Sequence, residues 1–173
     1  MRPEGDGLAR LVPPDELSSW AEAERAAGRS IVMTNGVYDL LHDGHVLSIV
    51  EAARWGDVLL VAINDDVSTR ALKGPSRPIL DQTVRATLVR GLRGVDAVTI
   101  FAASSVLPTI LTVRPDVVAK GGQYSETEIV GHDEVTSWGG RVIRLPMVEG
   151  VSTTDLIERI RTRITAPKGK EDR

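Results

Sequence analysis

Residues 58–63 are the longest unbroken apolar run in the chain, Val58-Leu59-Leu60-Val61-Ala62-Ile63. The run is far too short to cross a membrane, but it has the length of a β-strand that is buried on both faces. Fully apolar strands of this kind are typical of parallel sheets covered by helices on both sides. The run therefore predicts an α/β fold, which the sequence on either side must support.

Helical and strand patterns alternate on both sides of this run. Further short apolar strands are predicted at residues 30–34, 95–100, 117–119 and 141–145. Apolar spacing and end signals predict helices at residues 15–27, 44–55, 81–91, 105–113, 127–138 and 153–164. The alternation predicts a Rossmann-like, five-stranded parallel sheet with helices on both faces. We expect residues 8–165 to form this domain, residues 1–7 to be a flexible leader and residues 166–173 a flexible tail.

Composition and charge exclude several classes of protein. Hydrophobic residues make up 42% and charged residues 26%, which is ordinary for a globular chain. The net charge of −3 disfavours a broad basic face for nucleic acid. Cysteine is absent, which excludes disulfides, thiolate metal sites and a cysteine nucleophile. No signal peptide or membrane span is visible, so we expect a cytoplasmic protein without a nucleic-acid or membrane partner.

The loop after the first predicted strand carries the strongest chemical signal. Ligands in parallel α/β sheets bind at the carboxyl ends of the strands. Here the small polar segment Thr34-Asn35-Gly36 allows close backbone approach, and His42 and His45 flank Gly44 at the start of a helix. Their spacing places both imidazoles on one side of the first turn, where a helix N-terminus favours anions. The loop therefore predicts a phosphate site that also suits a phosphorane-like transition state.

Other interpretations of this loop remain open at this stage. Asn35-Gly36 is also a common turn sequence, and His42 could serve as a helix cap. Two histidines could form half of a metal site, but the third histidine, His132, lies in a different predicted helix. We therefore expect no metal ion to be held by protein ligands.

Three further loops at the same edge of the sheet carry groups that suit phosphate. These are Lys73 with Arg77, Lys120-Gly121-Gly122, and Ser152-Thr153-Thr154. Each also has a simpler interpretation, as a solvated loop or as helix-capping hydroxyls. None of them offers a nucleophile next to a base. The P-loop motif and the Gly-x-Gly-x-x-Gly motif are absent, which disfavours a P-loop kinase and a dinucleotide-dependent dehydrogenase.

The segment from Asp39 to His45 resembles the His-x-Gly-His signature of the nucleotidyltransferase superfamily. Within it, the chain is similar to the adenylyltransferase domain of bacterial ADP-heptose synthase, over roughly residues 8–164. The most specific matching blocks are Lys73-Gly74-Pro75-Ser76-Arg77-Pro78 and Lys120-Gly121-Gly122 with Tyr124. The resemblance implies Mg²⁺-dependent transfer of AMP from ATP to a heptose 1-phosphate, giving ADP-heptose and pyrophosphate. It also implies a homodimer and a separate sugar kinase that supplies the 1-phosphate.

The resemblance assigns roles to individual residues. Catalysis is assigned to His42, His45 and Lys73. Nucleotide binding is assigned to Thr34, Asn35, Gly36, Tyr38, Gly44, Lys120, Gly122, Ser152, Thr153 and Thr154. Sugar-phosphate binding is assigned to Asp39, Arg77, Gln123 and Tyr124.

Two positions depart from the family pattern, which usually has Phe at Tyr38 and Asp at Gln123. The second departure removes a carboxylate beside the nucleotide or sugar site, so the identity of the substrate stays open at this stage. Glycerol 3-phosphate cytidylyltransferase and FMN adenylyltransferase of the same superfamily are the nearest alternatives. A non-catalytic nucleotide sensor is a third alternative, which intact transition-state groups disfavour.

Overall fold

The computed structural model describes residues 7–122, 125–146, 150 and 152–165. Within them lies a six-stranded sheet in which all paired strands are parallel. Its strands are β1 (Arg10–Leu11), β2 (Ile31–Gly36), β3 (Val58–Asn64), β4 (Ala97–Phe101), β5 (Val117–Gly121) and β6 (Arg141–Leu145). Their order across the sheet is β1-β4-β3-β2-β5-β6. The Rossmann-like fold predicted from the sequence is thereby confirmed.

Seven α-helices occur within the described residues and connect or follow the strands. They are α1 (Leu17–Ala26), α2 (Asp43–Ala52), α3 (Asp66–Lys73), α4 (Gln82–Arg90), α5 (Leu107–Val113), α6 (His132–Ser137) and α7 (Thr153–Thr165). The predicted tail 166–173, the predicted leader apart from Gly7, and the site candidates Gln123 and Tyr124 lie outside the described residues. None of the helices in these described ranges is both long and apolar enough to cross a bilayer.

The core lies on both faces of the sheet, as the apolar run of β3 predicts. Leu60 and Ala62 belong to a buried cluster that contains residues of α1, α5 and α6. Leu59, Val61 and Ile63 belong to a second cluster with residues of α2 and α4. Successive side chains of a strand point to opposite faces, so one continuous apolar run fills both layers. Burial of each large aliphatic side chain stabilises the fold by about 1.5–3 kcal/mol.

The prediction of five strands was wrong, because β1 adds a sixth at the sheet edge. Arg10 pairs with Ala97 and Leu11 with Val98 of β4. The backbone N–H groups of Arg10 and Val12 donate to the carbonyls of Asp96 and Val98. A strand of two residues is too short to produce an alternation pattern, and here backbone pairing defines it.

Helix α3 was missed because its buried face is not apolar. Ser68 and Thr69 are its buried residues, whereas Val67 and Leu72 are exposed. The helix begins where the Asp65 carboxylate accepts a hydrogen bond from the N–H of Ser68. This N-cap was the available sequence signal, since apolar periodicity could not reveal a helix with a polar inner face.

The helix predicted at residues 127–138 is divided in two. A 3-10 turn at Glu126–Glu128 is followed by α6, and Gly131 lies between them with φ +89°. A Cβ at Gly131 would lie 2.7 Å from the Cδ1 of Ile110, so both the backbone and the packing require glycine there. The predicted helix at residues 105–113 likewise begins later, at Leu107.

Candidate functional site

A cleft of about 780 Å³ lies at the carboxyl ends of the central strands. The direction in which successive strands are added to the sheet reverses between β2 and β5, because β3 and β4 lie to one side of β2 while β5 and β6 lie to the other. Crevices at such switch points are the usual ligand sites of open α/β sheets. Fourteen of the predicted site residues line it: Thr34, Asn35, Gly36, Tyr38, Asp39, His42, Gly44, His45, Lys73, Arg77, Lys120, Ser152, Thr153 and Thr154. Gly122 does not line it.

The two histidines form a stacked pair at the start of α2. His42 is the N-cap residue in extended conformation, and the ring centroids of His42 and His45 are 3.8 Å apart at an interplanar angle of 24°. Neither Nδ1 atom has a hydrogen-bond partner among the described residues. Burial lowers the pKa of His42, and burial together with the nearby His42 lowers the pKa of His45 to about 4. Both rings are therefore neutral at pH 7, and each offers one N–H donor.

Tyr38 holds His45 from the side. The two rings meet edge-on with centroids 5.4 Å apart. Burial raises the pKa of Tyr38 to about 12, and the nearby side chain of Thr34 opposes part of that rise. A Cβ at Gly36 would lie 3.0 Å from the Tyr38 ring, so glycine at this position makes room for the ring. Tyr38 is thus a buried residue that packs against His45, as a phenylalanine at this position could.

Asp39 is completely buried and accepts hydrogen bonds from three donors of the loop at residues 77–80. Its carboxylate accepts from the Nε of Arg77 at 2.8 Å, the N–H of Ile79 at 2.8 Å and the N–H of Leu80 at 2.9 Å. The side chain has an exposed fraction of 0%. Asp39 thus fastens the loop of the histidines to the loop of Arg77, and its oxygens face protein donors.

Three cationic side chains of the described residues line the cleft, and they differ in their hydrogen-bond partners. Arg77 donates to Asp39 through its Nε, and no partner of its terminal guanidinium N–H groups is seen among the described residues. The ammonium of Lys120 donates to the backbone and side-chain oxygens of Asn35 at 2.7 and 3.1 Å, joining β5 to β2 at the switch point. Burial and the charge of Lys73 lower the pKa of Lys120 to about 8. Lys73 ends α3, and no side-chain partner is seen for its ammonium in the described part of the chain.

The hydroxyl run before α7 is partly occupied by structural roles. The Ser152 hydroxyl donates to the carboxylate of Asp155 at 2.7 Å and accepts from the Asp155 N–H at 3.1 Å. The Thr153 hydroxyl donates to the backbone carbonyl of Asp39 at 2.9 Å. These contacts place the N-terminus of α7 against the loop of the histidines. Thr154 also lines the cleft.

Several cleft residues were not predicted individually. They include Ser48, Asn64, Phe101, Ser104, Ser105, Glu128, Ile129 and Pro146. Most follow the rule that residues just beyond strand ends face the ligand. Ser48 lies three residues after His45 on α2, so helical spacing was the signal that could have found it.

Among the described residues, two carboxylates line the cleft, and both accept hydrogen bonds from protein donors. Asp39 accepts from the loop at residues 77–80, and Glu128 accepts from the N–H and the hydroxyl of Ser125 in a capping box. Within the described ranges no group of three or more His, Cys, Asp or Glu side chains could hold a metal ion. The arrangement favours an anionic ligand over a bare cation.

Comparisons with known proteins agree with this geometry. The bifunctional protein HldE of Koribacter versatilis is 47% identical over 151 residues, which are 87% of this chain and 31% of that protein. The bifunctional protein HldE of Trichlorobacter lovleyi is 42% identical over 160 residues, 92% of this chain and 33% of that protein. The chain thus spans about a third of the length of these relatives.

A solved structure also resembles the chain. The lipopolysaccharide core biosynthesis protein from Thermoplasma volcanium has a TM-score of 0.61 and 28% identity, covering 70% of this chain and 100% of that one. The model of the family described as cytidylyltransferase-like matches residues 33–159, from β2 into α7. The chain therefore belongs to the cytidylyltransferase-like family and is a nucleotidyltransferase.

Proposed function

We propose that the chain transfers AMP from ATP to a heptose 1-phosphate, forming ADP-heptose and pyrophosphate. The observation that carries this proposal is the charge of the cleft. Lys73, Arg77 and Lys120 line it beside the neutral histidine pair, whereas Asp39 and Glu128 are neutralised or held by protein donors. Two anionic substrates must meet in a chain of net charge −3, and this local cationic lining favours their approach.

The sugar substrate is proposed from the relatives and from two sequence blocks. The relatives are named bifunctional protein HldE, and the similar solved structure is named for lipopolysaccharide core biosynthesis. The blocks at residues 73–78 and 120–124 resemble those of the adenylyltransferase domain of ADP-heptose synthase. On this support we propose a heptose phosphate as the sugar substrate.

The proposed reaction is a direct in-line displacement. A phosphate oxygen of the sugar 1-phosphate attacks the α-phosphorus of ATP, and the bond from that phosphorus to the β-bridging oxygen breaks. The electron pair leaves with pyrophosphate. The attacking oxygen is already ionised at neutral pH, so the site needs no general base. Catalysis then consists of positioning and of stabilising charge in the transition state.

Each catalytic group has a task that its environment suits. His42 and His45 donate hydrogen bonds to the α-phosphate and to the bridging oxygen, and the stacking of their rings keeps the two donors next to each other. Lys73, whose ammonium is unpaired within the described residues, balances the charge that develops on the phosphate oxygens. Arg77 holds the incoming sugar phosphate with its terminal N–H groups while Asp39 fixes its Nε.

The β- and γ-phosphates are proposed to bind beside Thr34 and Thr154, near the N-terminus of α7. Helix N-termini attract anions through unpaired backbone N–H groups. Because the hydroxyls of Ser152 and Thr153 hold α7 in place, these two residues act by presenting the backbone more than by contacting phosphate.

Magnesium fits this site as part of the nucleotide. The described residues hold no cluster of metal ligands, and Mg²⁺ is commonly bound by substrate phosphates with only one or two carboxylates. When bound, Mg²⁺ would neutralise charge on the triphosphate. Removing it with EDTA should stop pyrophosphate release while leaving the free energy of unfolding of the nucleotide-free protein unchanged.

Three further proposals follow from the family and the relatives. We propose that the chain works in the cytoplasm as a homodimer. A sugar kinase activity outside the described domain would supply the 1-phosphate.

The test is pyrophosphate release by the purified protein with Mg²⁺. ATP, CTP, GTP and UTP are each combined with heptose 1-phosphate, glycerol 3-phosphate or FMN. Release with ATP and heptose 1-phosphate alone is expected. Release only with CTP and glycerol 3-phosphate, or with ATP and FMN, would assign one of the related activities instead.

Two histidine variants test the mechanism. His45→Ala should lower kcat by about 10²–10³-fold, because it removes one transition-state donor. His132→Ala on α6 is the matched control and should retain the wild-type rate, since His132 does not line the cleft. ATP binding without turnover by the wild-type protein in every combination would favour the sensor interpretation.

A further inference from the structure

Arg85 is a completely buried arginine outside the cleft. It lies on α4 with an exposed fraction of 0%, and it is the largest of the fully buried side chains in the described part of the chain. Burying a guanidinium costs several kcal/mol unless it is well paired. The hydrogen-bond partners of Arg85 must therefore compensate for the cost of burying its charge.

The contacts of Arg85 reach three separate segments. Its Nη1 donates to the carbonyl of Val37 at 2.6 Å, its Nε to the carbonyl of Leu80 at 3.0 Å, and its Nη2 to the carboxylate of Asp66 at 2.7 Å. Val37 opens the loop that leads to His42, in which Tyr38 and Leu40 have φ of 53° and 48°. The loop backbone is strained at these two residues, so a hydrogen bond from outside the loop helps to hold its conformation.

The second segment is the loop of Arg77, which forms hydrogen bonds with Asp39 on one side and with Arg85 on the other. The N–H of Leu80 donates to Asp39, and the carbonyl of Leu80 accepts from Arg85. Two buried charged groups of opposite sign thus hold one peptide segment against the loop of the histidines. Asp39 alone would leave the outer side of that segment unpaired.

The third segment is α3, which carries Lys73 at its far end. Asp66 is the first residue of the helix, and its backbone N–H also donates to the side-chain oxygen of Gln82 on α4. A helix rises 1.5 Å per residue, so Lys73 lies about 10 Å along the axis from Asp66. Fixing Asp66 to Arg85 therefore fixes the direction in which α3 presents Lys73 to the cleft.

We propose that Arg85 is a positioning residue for nucleotidyl transfer, holding the loop of His42 and His45 and the helix of Lys73 in one common geometry. This proposal rests on the function proposed above. Displacements of about 1 Å in catalytic groups can lower a rate by about 10²-fold. The planar fork of arginine is needed because a lysine ammonium cannot reach three separate acceptors in these directions.

The experiment compares Arg85→Lys with Arg90→Lys, a matched change on the same helix. Arg90 donates to the carbonyl of Ala9 and does not line the cleft. Arg85→Lys should lower kcat by about 10–100-fold with little change in KM for ATP, whereas Arg90→Lys should keep the wild-type kcat. In a Lys73→Ala background, Arg85→Lys should cost much less than it does alone, because it acts partly through Lys73.

A second measurement does not need a substrate. The chain has three histidines, so His42 and His45 can be followed by NMR of the imidazole rings with His132 as the internal reference. Arg85→Lys should shift the ring signals of His42 and His45 and leave those of His132 in place. Arg90→Lys should shift none of them. This result would support the positioning role even if every substrate pair proved inactive, which separates the proposal from the proposed function.

The opposite results overturn the proposal. These are an unchanged kcat with unchanged ring signals, or a kcat loss that adds fully to that of Lys73→Ala while the ring signals stay in place. If Arg85→Lys does not fold, Asp66→Asn decides, because it keeps Arg85 and its two backbone contacts. A lower kcat that is not additive with Lys73→Ala then supports the role, and an unchanged or fully additive kcat refutes it.

Discussion

Replacing Asp39 by asparagine tests whether this residue positions the site or contacts the sugar phosphate. The sequence assigns it to the substrate, whereas in the structure its carboxylate meets three protein donors. Asparagine has nearly the same shape but only one oxygen and no charge. The substitution therefore removes the electrostatic part of the contact with little change in volume.

The expected loss of stability follows from these partners. If the amide oxygen keeps Arg77 and Ile79, the amide NH₂ faces the N–H of Leu80, and an unsatisfied buried donor costs about 1–3 kcal/mol. The guanidinium of Arg77, whose side chain is only 11% exposed, also loses its counterion. Breaking a buried ion pair costs about 3–5 kcal/mol. Since the two losses overlap, we expect about 3–5 kcal/mol in total.

Urea unfolding followed by tryptophan fluorescence measures this loss, because the chain has three tryptophans. The matched control is Asp133→Asn, whose side chain is 97% exposed and which should change the free energy of unfolding by less than about 0.5 kcal/mol. A loss below about 1 kcal/mol for Asp39→Asn, combined with a raised KM for the sugar phosphate, would refute the positioning role.

Three further variants have defined expectations. Burial lowers the pKa of His45 from 6.5 to about 4, so the unfolded chain binds more protons than the folded chain between these pH values. The free energy of unfolding of the wild type, measured in urea, should therefore decrease as the pH falls from 6.5 to 4. The decrease should be smaller for His45→Gln. Gly36→Ala should cost about 1–3 kcal/mol in thermal unfolding because its Cβ meets the Tyr38 ring at 3.0 Å, whereas Gly91→Ala, with its nearest neighbour at 3.5 Å, should be nearly neutral. Folding lowers the pKa of Lys120 from 10.5 to about 8, so the unfolded chain again binds more protons between these pH values. In the same urea assay, the wild type should therefore gain stability relative to Lys120→Met as the pH rises from 8 to 10.5.

The sequence predicted the fold where patterns are local and apolar. The run at residues 58–63 and the alternation around it led to the parallel sheet, and the rule for strand ends led to the cleft. The histidine pair was found because His42 and His45 are close in the chain and at a helix start. In each case the signal lay within a few residues.

What could not be predicted depends on contacts between distant segments. Arg85 meets partners 5, 19 and 48 residues away, and Thr153 meets a carbonyl 114 residues away. Asp39 looked like a ligand for substrate because its burial and its three donors are properties of the folded chain. Helix α3 was not predicted because its buried face consists of the polar residues Ser68 and Thr69.

The place of β1 at the edge of the sheet has a consequence for how the chain is assembled during synthesis. Arg10 leaves the ribosome well before its strand partner, Ala97 of β4. The intervening segment must emerge, and β4 must join β3, before the strand has an edge to pair with. Contacts over such separations form late, because the loop must close before the contact contributes any stability. Strand β1 is thus expected to be among the last strands of the sheet to pair.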